Sequence, residues 1–429
     1  MIKKVIISFI AIVFTYVAVT NLYTNKVVIH LGIFVGNWEV PNGNDYKIID
    51  DAIARFEKLH PNVEIEYESG ILKSDYSLWL ANKIVNGEEP DVFMIVDEDF
   101  NTLSSLGVLK DLTEEIENDK NFNKDDYYES TLKAGQYEHK QYALPYESNP
   151  MLMFVNKTLL EKENIPIPEN DWTLDDFYNI CQQVTKDTNG DGAIDQYGCY
   201  NFSWLNSMYS HGIRLFDEDG KECFIDQDEA KEAVIFVEKL NKLNQEHIIT
   251  KEEFNTGKVA FAPMSFAQYR TYKPYPWSVK KYSNFEWECL PMPAGPSGYN
   301  ASQMDSLLCG ISKMSSKKKM AWEFLKLLCY DETTQESLFK YSQGVSVLKN
   351  VSTSKNVTKY IQEDAPLDSN YNLEFFDDMM EQAITIKKLD GYDQLYSMAD
   401  SEIRRVIDTN EDIEPAMQNL NDELNILLE

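Results

Sequence analysis

Between Lys26 and Val96 the chain spells three strand-like segments separated by two helix-like ones, and that order admits few folds. Lys26 to Phe34 (KVVIHLGIF) is continuous and β-branched, the composition of a buried strand, and Gly36-Asn37 bounds it. From about Asp45 to Leu59, the apolar residues Ile48, Ile49, Ile53, Phe56 and Leu59 recur at helical spacing, and Pro61-Asn62 stops the run. Val63 to Tyr67 alternates like a half-buried strand. A helix follows near Tyr76 to Val85, ended by Gly87 and Pro90, and Val92 to Val96 reads as a third strand. Strand, helix, strand, helix, strand predicts a parallel sheet covered by helices.

The pattern returns further along. Tyr142 to Pro145, Met151 to Val155, Lys258 to Met264 and Phe285 to Leu290 are strand-like. Trp172 to Val184, Glu229 to Leu243 and Met314 to Leu328 are helical, as are about Leu373 to Lys388, Gln394 to Asp408 and Ile413 to Leu428. A chain of 429 residues is too long for one ordinary core. Two βα stretches therefore predict two α/β lobes, with the loop Pro291 to Pro296 suited to a crossover between them.

Charge narrows the partners. A formal net charge of −31 repels phosphate backbones and argues against nucleic acid. Near the N-terminus, Lys3 and Lys4 precede an apolar run from Val5 to Val19, the layout of an export signal. Ala18-Val19-Thr20 is a poor cleavage site, which favours an uncleaved anchor over residues 1–25; anchored or cleaved, the rest of the chain is placed outside the cytoplasm. The first cysteine is Cys181, so no lipid-anchoring cysteine follows this segment. The six cysteines, at 181, 199, 223, 289, 309 and 329, form no CxxC and have mostly apolar neighbours. Buried free thiols are the expectation. An even count in an exported chain leaves disulfides open, and the sequence cannot pair them.

Six blocks then occur in a telling order: Arg55 to Ile65 (RFEKLHPNVEI); Asn86 to Phe93 (NGEEPDVF); Lys140 to Tyr146 with Phe154 to Lys157 and Leu159; Trp172 to Phe177; Gly257 to Phe261; and Leu290 to Pro293 with Gly310 to Lys313 and Ala321 to Phe324. From about Val27 to the C-terminus the chain resembles the extracellular solute-binding proteins that include the maltose-binding protein. The resemblance implies a two-lobed periplasmic-binding-protein-like α/β fold of type II, with discontinuous lobes, hinge strands and a helical C-terminus. It places 27–147 plus 292–335 in one lobe and 148–291 plus 336–429 in the other. It implies a monomeric, non-enzymatic substrate-binding protein of an ATP-binding-cassette (ABC) importer that needs no cofactor, holds a carbohydrate between its lobes and delivers it to membrane permease subunits. Two departures stand out. Where many members carry Gly-Pro-Trp, this chain has Met264 to Tyr269, which leaves the aromatic role to Phe266, Tyr269 or Tyr272; and the lipid-anchoring cysteine is absent.

A sugar presents an apolar ring face and a rim of hydroxyls, so its receptor needs flat aromatics and planar polar groups. Trp38 follows the first strand, and Asp97 and Glu98 follow the third, where loops border the crevice of an open α/β sheet. Tyr146, Glu147 and Asn149 fall at the expected hinge, Trp204 heads a helix, and Asp305 follows a Gly-containing loop. Each also has an ordinary use as core, cap or turn residue. Asp187, Asn189, Asp191, Ala193 and Asp195 match the first nine positions of a calcium loop, although Gly198 stands where the bidentate Glu belongs, and would hold a structural Ca²⁺ or form an Asx-turn loop. There is no Ser nucleophile elbow, HExxH or phosphate loop, and five His show no helical pairing. A two-carboxylate glycosidase and a membrane-tethered sensor reporting to a kinase are the alternative readings.

Overall fold

A computed structural model describes residues 26–36, 44, 46–217, 220–245, 247–272, 285–296, 298, 302–364, 374–385, 391–409 and 411–428. The N-terminal segment 1–25 and Trp38 lie outside the described residues. The molecule is α/β and two-lobed, with a helical C-terminus.

The first lobe opens as the alternation predicts. Strand β1 (Val27–Gly32), helix α1 (Lys47–Leu59), strand β2 (Val63–Tyr67), helix α2 (Lys73–Val85) and strand β3 (Val92–Ile95) follow in order. β1 pairs in parallel with β2 and with β3. α1 buries Ile48, Ile49, Ala52 and Phe56, the stripe that the spacing marks. All four residues of β3 are buried, as expected of a parallel strand covered on both faces.

One strand crosses between the lobes. β4 (Ala143–Asn156) is 14 residues long. Its first half pairs antiparallel with β8 (Gln303–Ile311), from Ala143 opposite Gly310 to Pro150 opposite Met304. Its second half pairs with β6 (Val259–Ser265), from Met151 opposite Ser265 to Val155 opposite Phe261, and with β7 (Trp287–Leu290). The hand-over falls between Pro150 and Met151. The ladder is already irregular before it: Leu308 faces Pro145 and Leu307 faces Glu147, leaving Tyr146 as an extra residue. Prolines lack the N–H that a ladder uses, so they belong at such interruptions. The strand order is β2-β1-β3-β8-β4-β6-β5, where β5 is Tyr197–Cys199.

The second lobe surrounds the far half of β4 with α3 (Leu174–Val184), α4 (Trp204–Ser210), α5 (Asp228–Lys242) and α6 (Phe266–Tyr272). Trp172, Phe177, Phe202 and Phe261 form its aromatic centre. The chain then returns to the first lobe through β8, α7 (Lys318–Cys329) and α8 (Glu332–Tyr341). α8 packs on α1, α7 and β4. Helix α9 (Glu374–Gln382) and β9 (Ile384–Thr385) also lie on the first lobe, against β8 and residues 129–134. A division at 336 places these helices on the second lobe; in the structure the helices that pack there are α10 (Tyr392–Thr409) and α11 (Ile413–Leu428). The physical reason is the apolar face of α8, whose Leu338 and Phe339 are buried in the first core.

Asp91, in the Pro-Asp turn before β3, explains one of the sequence blocks. Its carboxylate is buried; Oδ2 accepts from the His30 amide at 2.9 Å and from Lys317 Nζ at 2.9 Å, and Oδ1 accepts from Ser315 Oγ at 2.6 Å. It thereby ties β1 to the turn that opens α7. Asp91→Ala strands an ammonium and a buried hydroxyl, and is expected to lower unfolding free energy by about 2–4 kcal/mol. Urea unfolding checks this; a loss below about 0.5 kcal/mol, the surface-substitution range, contradicts it.

Candidate functional site

The hand-over in β4 and the return through β8 bring two α/β bodies together along a crevice, and the candidate site is built on both sides of it. From the second lobe, Ser203 caps α4 reciprocally with Asn206, so that Trp204 takes the first helical position. Trp204 Nε1 donates to Asp400 Oδ1 at 2.9 Å, and Arg404 Nε donates to Oδ2 of the same carboxylate at 2.7 Å. Trp204 stacks on Tyr396 with centroids 5.7 Å apart, and Tyr396 stacks on Tyr392 at 6.1 Å. Tyr392 and Tyr396 stand one turn apart on α10, which is why their rings align. Phe216 meets Tyr392 edge-on.

The first lobe supplies Asp305 from β8, half-buried and in register with Asn149 of β4. The Tyr209 hydroxyl, at the end of α4, is pushed well above its usual pKa by burial first, then by Tyr392 and Asp305, with Arg214 opposing. Tyr392 is raised for the same reasons: burial, then Tyr396 and Asp305. Asp305 of one lobe and Arg214, Tyr209 and Tyr392 of the other therefore share one electrostatic neighbourhood. Beside it, a cavity of about 160 Å³ is lined by Glu129, Ser130, Lys133 and Gln136, by Arg214 from across the crevice, and by Glu381, Ala383 and Thr385. Lys133 pairs with Glu129 at 2.8 Å, and Glu381 pairs with Lys349 at 2.7 Å.

The other sequence candidates divide. Asp97 is half-buried and Glu98 exposed, in a short turn directly after β3, at the carboxyl end of the parallel strands. Tyr146, Glu147 and Asn149 lie on the crossing strand itself and are buried. Glu147 accepts from Ser342 Oγ and, at 2.7 Å, from the Gly344 amide, while Ser148 and Val345 exchange backbone hydrogen bonds. Asn149 Oδ1 accepts from the Ala267 amide at 2.9 Å. Phe266 is buried and meets Phe376 edge-on. These groups bind the crossing strand to segments of both lobes. Tyr269 lies in α6, and its side chain is outside the described residues. Arg270, on the same helix, donates from Nη2 to the Phe339 carbonyl at 2.8 Å, at the C-terminal end of α8.

The acidic loop stands apart. Asp187 accepts from the amides of Asn189, Gly190 and Gly192, Asn189 from that of Asp191, and Asp191 from that of Ala193. Asp195 accepts from the Thr188 amide and hydroxyl and from Asn189 Nδ2. The Gly192 and Gly190 amides hold the Asp187 carboxyl below its usual range. The loop is closed by Asx-type turns, and among the described residues no group of three or more His, Cys, Asp or Glu is arranged to hold a metal.

Comparison with known proteins places the chain. Residues 51–364 match the family model of the bacterial extracellular solute-binding proteins, and the chain belongs to that family. An uncharacterized lipoprotein of the oleD 5′ region of Streptomyces antibioticus is 23% identical over 297 residues, a match that spans 62% of that relative's length. Among solved structures, the ABC substrate-binding protein Lmo0181 of Listeria monocytogenes, solved in complex with cycloalternan, superposes with a TM-score of 0.68 at 21% identity, covering 94% of this chain and 99% of that one. The cyclic α-maltosyl-1,6-maltose binding protein of Arthrobacter globiformis gives 0.77 at 16% identity, with the same coverage. The sugar-binding protein MalE of Xanthomonas citri gives 0.76 at 15% identity, covering 94% and 97%.

Tyr209, Arg214, Tyr392 and Tyr396 were not among the residues that sequence reasoning selects. One signal was present: two tyrosines four apart, ahead of Asp400, on a segment of helical spacing. The clamp on the crossing strand also shows why position 344 is glycine. A Cβ there would stand 2.4 Å from Glu147 Oε1. Gly344→Ala is expected to cost about 1–3 kcal/mol of stability by overpacking; an unchanged urea midpoint contradicts this clamp.

Proposed function

We propose that this chain captures a sugar or oligosaccharide in the crevice between its lobes and delivers it, chemically unchanged, to the permease of an ABC importer. The observation that carries the reading is the partly exposed Tyr396, stacked between the buried rings of Trp204 and Tyr392, beside Arg214 of the same lobe and Asp305 of the other. Aromatic faces suit the apolar faces of pyranose rings, and a carboxylate and a guanidinium suit the hydroxyl rim. The carbohydrate ligands in the descriptions of three proteins of like fold support the same class. Asp97 and Glu98 would meet the ligand from the first lobe. Glu147, Asn149 and Phe266 serve the crossing strand and act on affinity through the hinge.

The protein works outside the cytoplasm, in keeping with its family, and the apolar run Val5–Val19 holds it at the membrane. It acts as a monomer with no cofactor and no catalytic step. The same tether favours a second reading, a sensor that reports ligand to a kinase; co-purification with permease subunits separates the two.

A panel of linear and cyclic maltodextrins followed by thermal shift tests the ligand class. A true ligand at 100 times its Kd adds about 2.7 kcal/mol of stability. Tyr396→Ala is expected to weaken that ligand about tenfold, roughly 1.4 kcal/mol. A panel that leaves the melting temperature unmoved, or a Tyr396→Ala variant with unchanged affinity, contradicts the reading.

A further inference from the structure

All six cysteines are buried as free thiols, but two of them meet. Cys309 lies on β8, directly opposite Leu144 of β4. Cys329 is the last residue of α7, and its Sγ points at the Leu144 carbonyl oxygen, 3.9 Å away. The two sulfurs thus converge on one residue of the crossing strand, from the neighbouring strand and from the helix above it. Both residues are 0% exposed. The 3.9 Å approach of the Cys329 sulfur to that carbonyl is long for a weak donor. Cys199, a neighbour of Cys181 in the second lobe, instead turns its sulfur to the Tyr200 carbonyl at 3.6 Å.

We propose that Cys309 and Cys329 are joined as a disulfide in the exported protein, tying the central strand β8 of the first lobe to helix α7. Exported chains meet an oxidising environment, where such pairs close and persist. The reaction is thiol–disulfide exchange. The thiolate of one cysteine attacks a disulfide-bearing oxidant, protein or small molecule, to give a mixed disulfide. The second thiolate displaces the oxidant's remaining sulfur, so that one S–S bond forms in the chain and two oxidant thiols leave carrying the two electrons and two protons.

Timing follows from burial. In the folded molecule, burial first, then Cys309, raises the Cys329 thiol well above its usual pKa, which suppresses the thiolate that exchange requires. No oxidant reaches a pair that is 0% exposed. The bond therefore closes while the first lobe is folding, and once closed it is shielded from reductant.

The test uses the full chain exported into an oxidising compartment, denatured and alkylated at once without reductant, digested and mapped by mass spectrometry. The expected result is a peptide pair linked through Cys309 and Cys329 that separates on reduction. Recovery of both cysteines alkylated, or of either linked to another cysteine, overturns the proposal. Refolding supplies a second readout that needs no variant. Reduced, unfolded protein refolded with oxidised glutathione forms the link, whereas reduced protein already folded gains it at least tenfold more slowly. Equal rates overturn the claim that burial governs closure. Cys309→Ser and Cys329→Ser each leave the remaining thiol alkylatable in denaturant; a variant whose remaining cysteine stays blocked there has another partner, which contradicts the pairing.

Discussion

The molecule depends on one strand serving two sheets. β4 enters as a member of the first lobe's ladder with β8 and leaves as a member of the second lobe's ladder with β6 and β7. Because backbone ladders are stiff and a change of partner is not, bending between the lobes concentrates where Pro150 gives way to Met151. Buried polar contacts reinforce both sides of that point: Glu147 on the 342–344 segment, Asn149 on the start of α6, Arg270 on the end of α8. A crossing held this way lets the lobes move as bodies without loosening either core.

That mechanical arrangement explains the division of labour among the polar and aromatic residues. Those nearest the crossing are buried and saturated by partners inside the chain, so they set the geometry. Those farther along the crevice, Asp305 and Arg214 with the Tyr392–Tyr396 stack, come from opposite lobes and meet only because the lobes face one another. Under the proposed function, two half-sites of this kind gain most when the lobes close and exclude water from the solute between them. Membership in the extracellular solute-binding family and superposition on proteins of that fold agree with this architecture.

The α/β layering was legible because it rests on local periodicity. The stripe of α1 and the apolar run of β3 are set by neighbours in sequence. The first crossing was expected from the family resemblance just after Glu147, and the exchange of strand partners falls between Pro150 and Met151. The lodging of α8 and α9 on the first lobe was not, because an amphipathic helix does not announce which core its stripe will join. The proposed site draws only in part on residues that the sequence marks. Trp204 and Asp305 stand out as residue types, yet Tyr209, Arg214 and Tyr392 gain meaning from long-range packing. The acidic loop is ambiguous in another way: a spacing suited to a cation is equally suited to a chain of Asx turns, and the described loop holds the turns. The cysteines likewise could be counted in sequence but paired only in space.

Small-angle X-ray scattering of the protein, alone and saturated with the maltodextrin that raises its melting temperature, tests the account at its centre. Closure of two bodies about the Pro150–Met151 hand-over predicts a smaller radius of gyration in the saturated protein, with the sharper maximum of a more compact particle in the distance distribution. A saturated protein whose scattering is superimposable on that of the free protein would contradict a clamp hinged on the crossing strand.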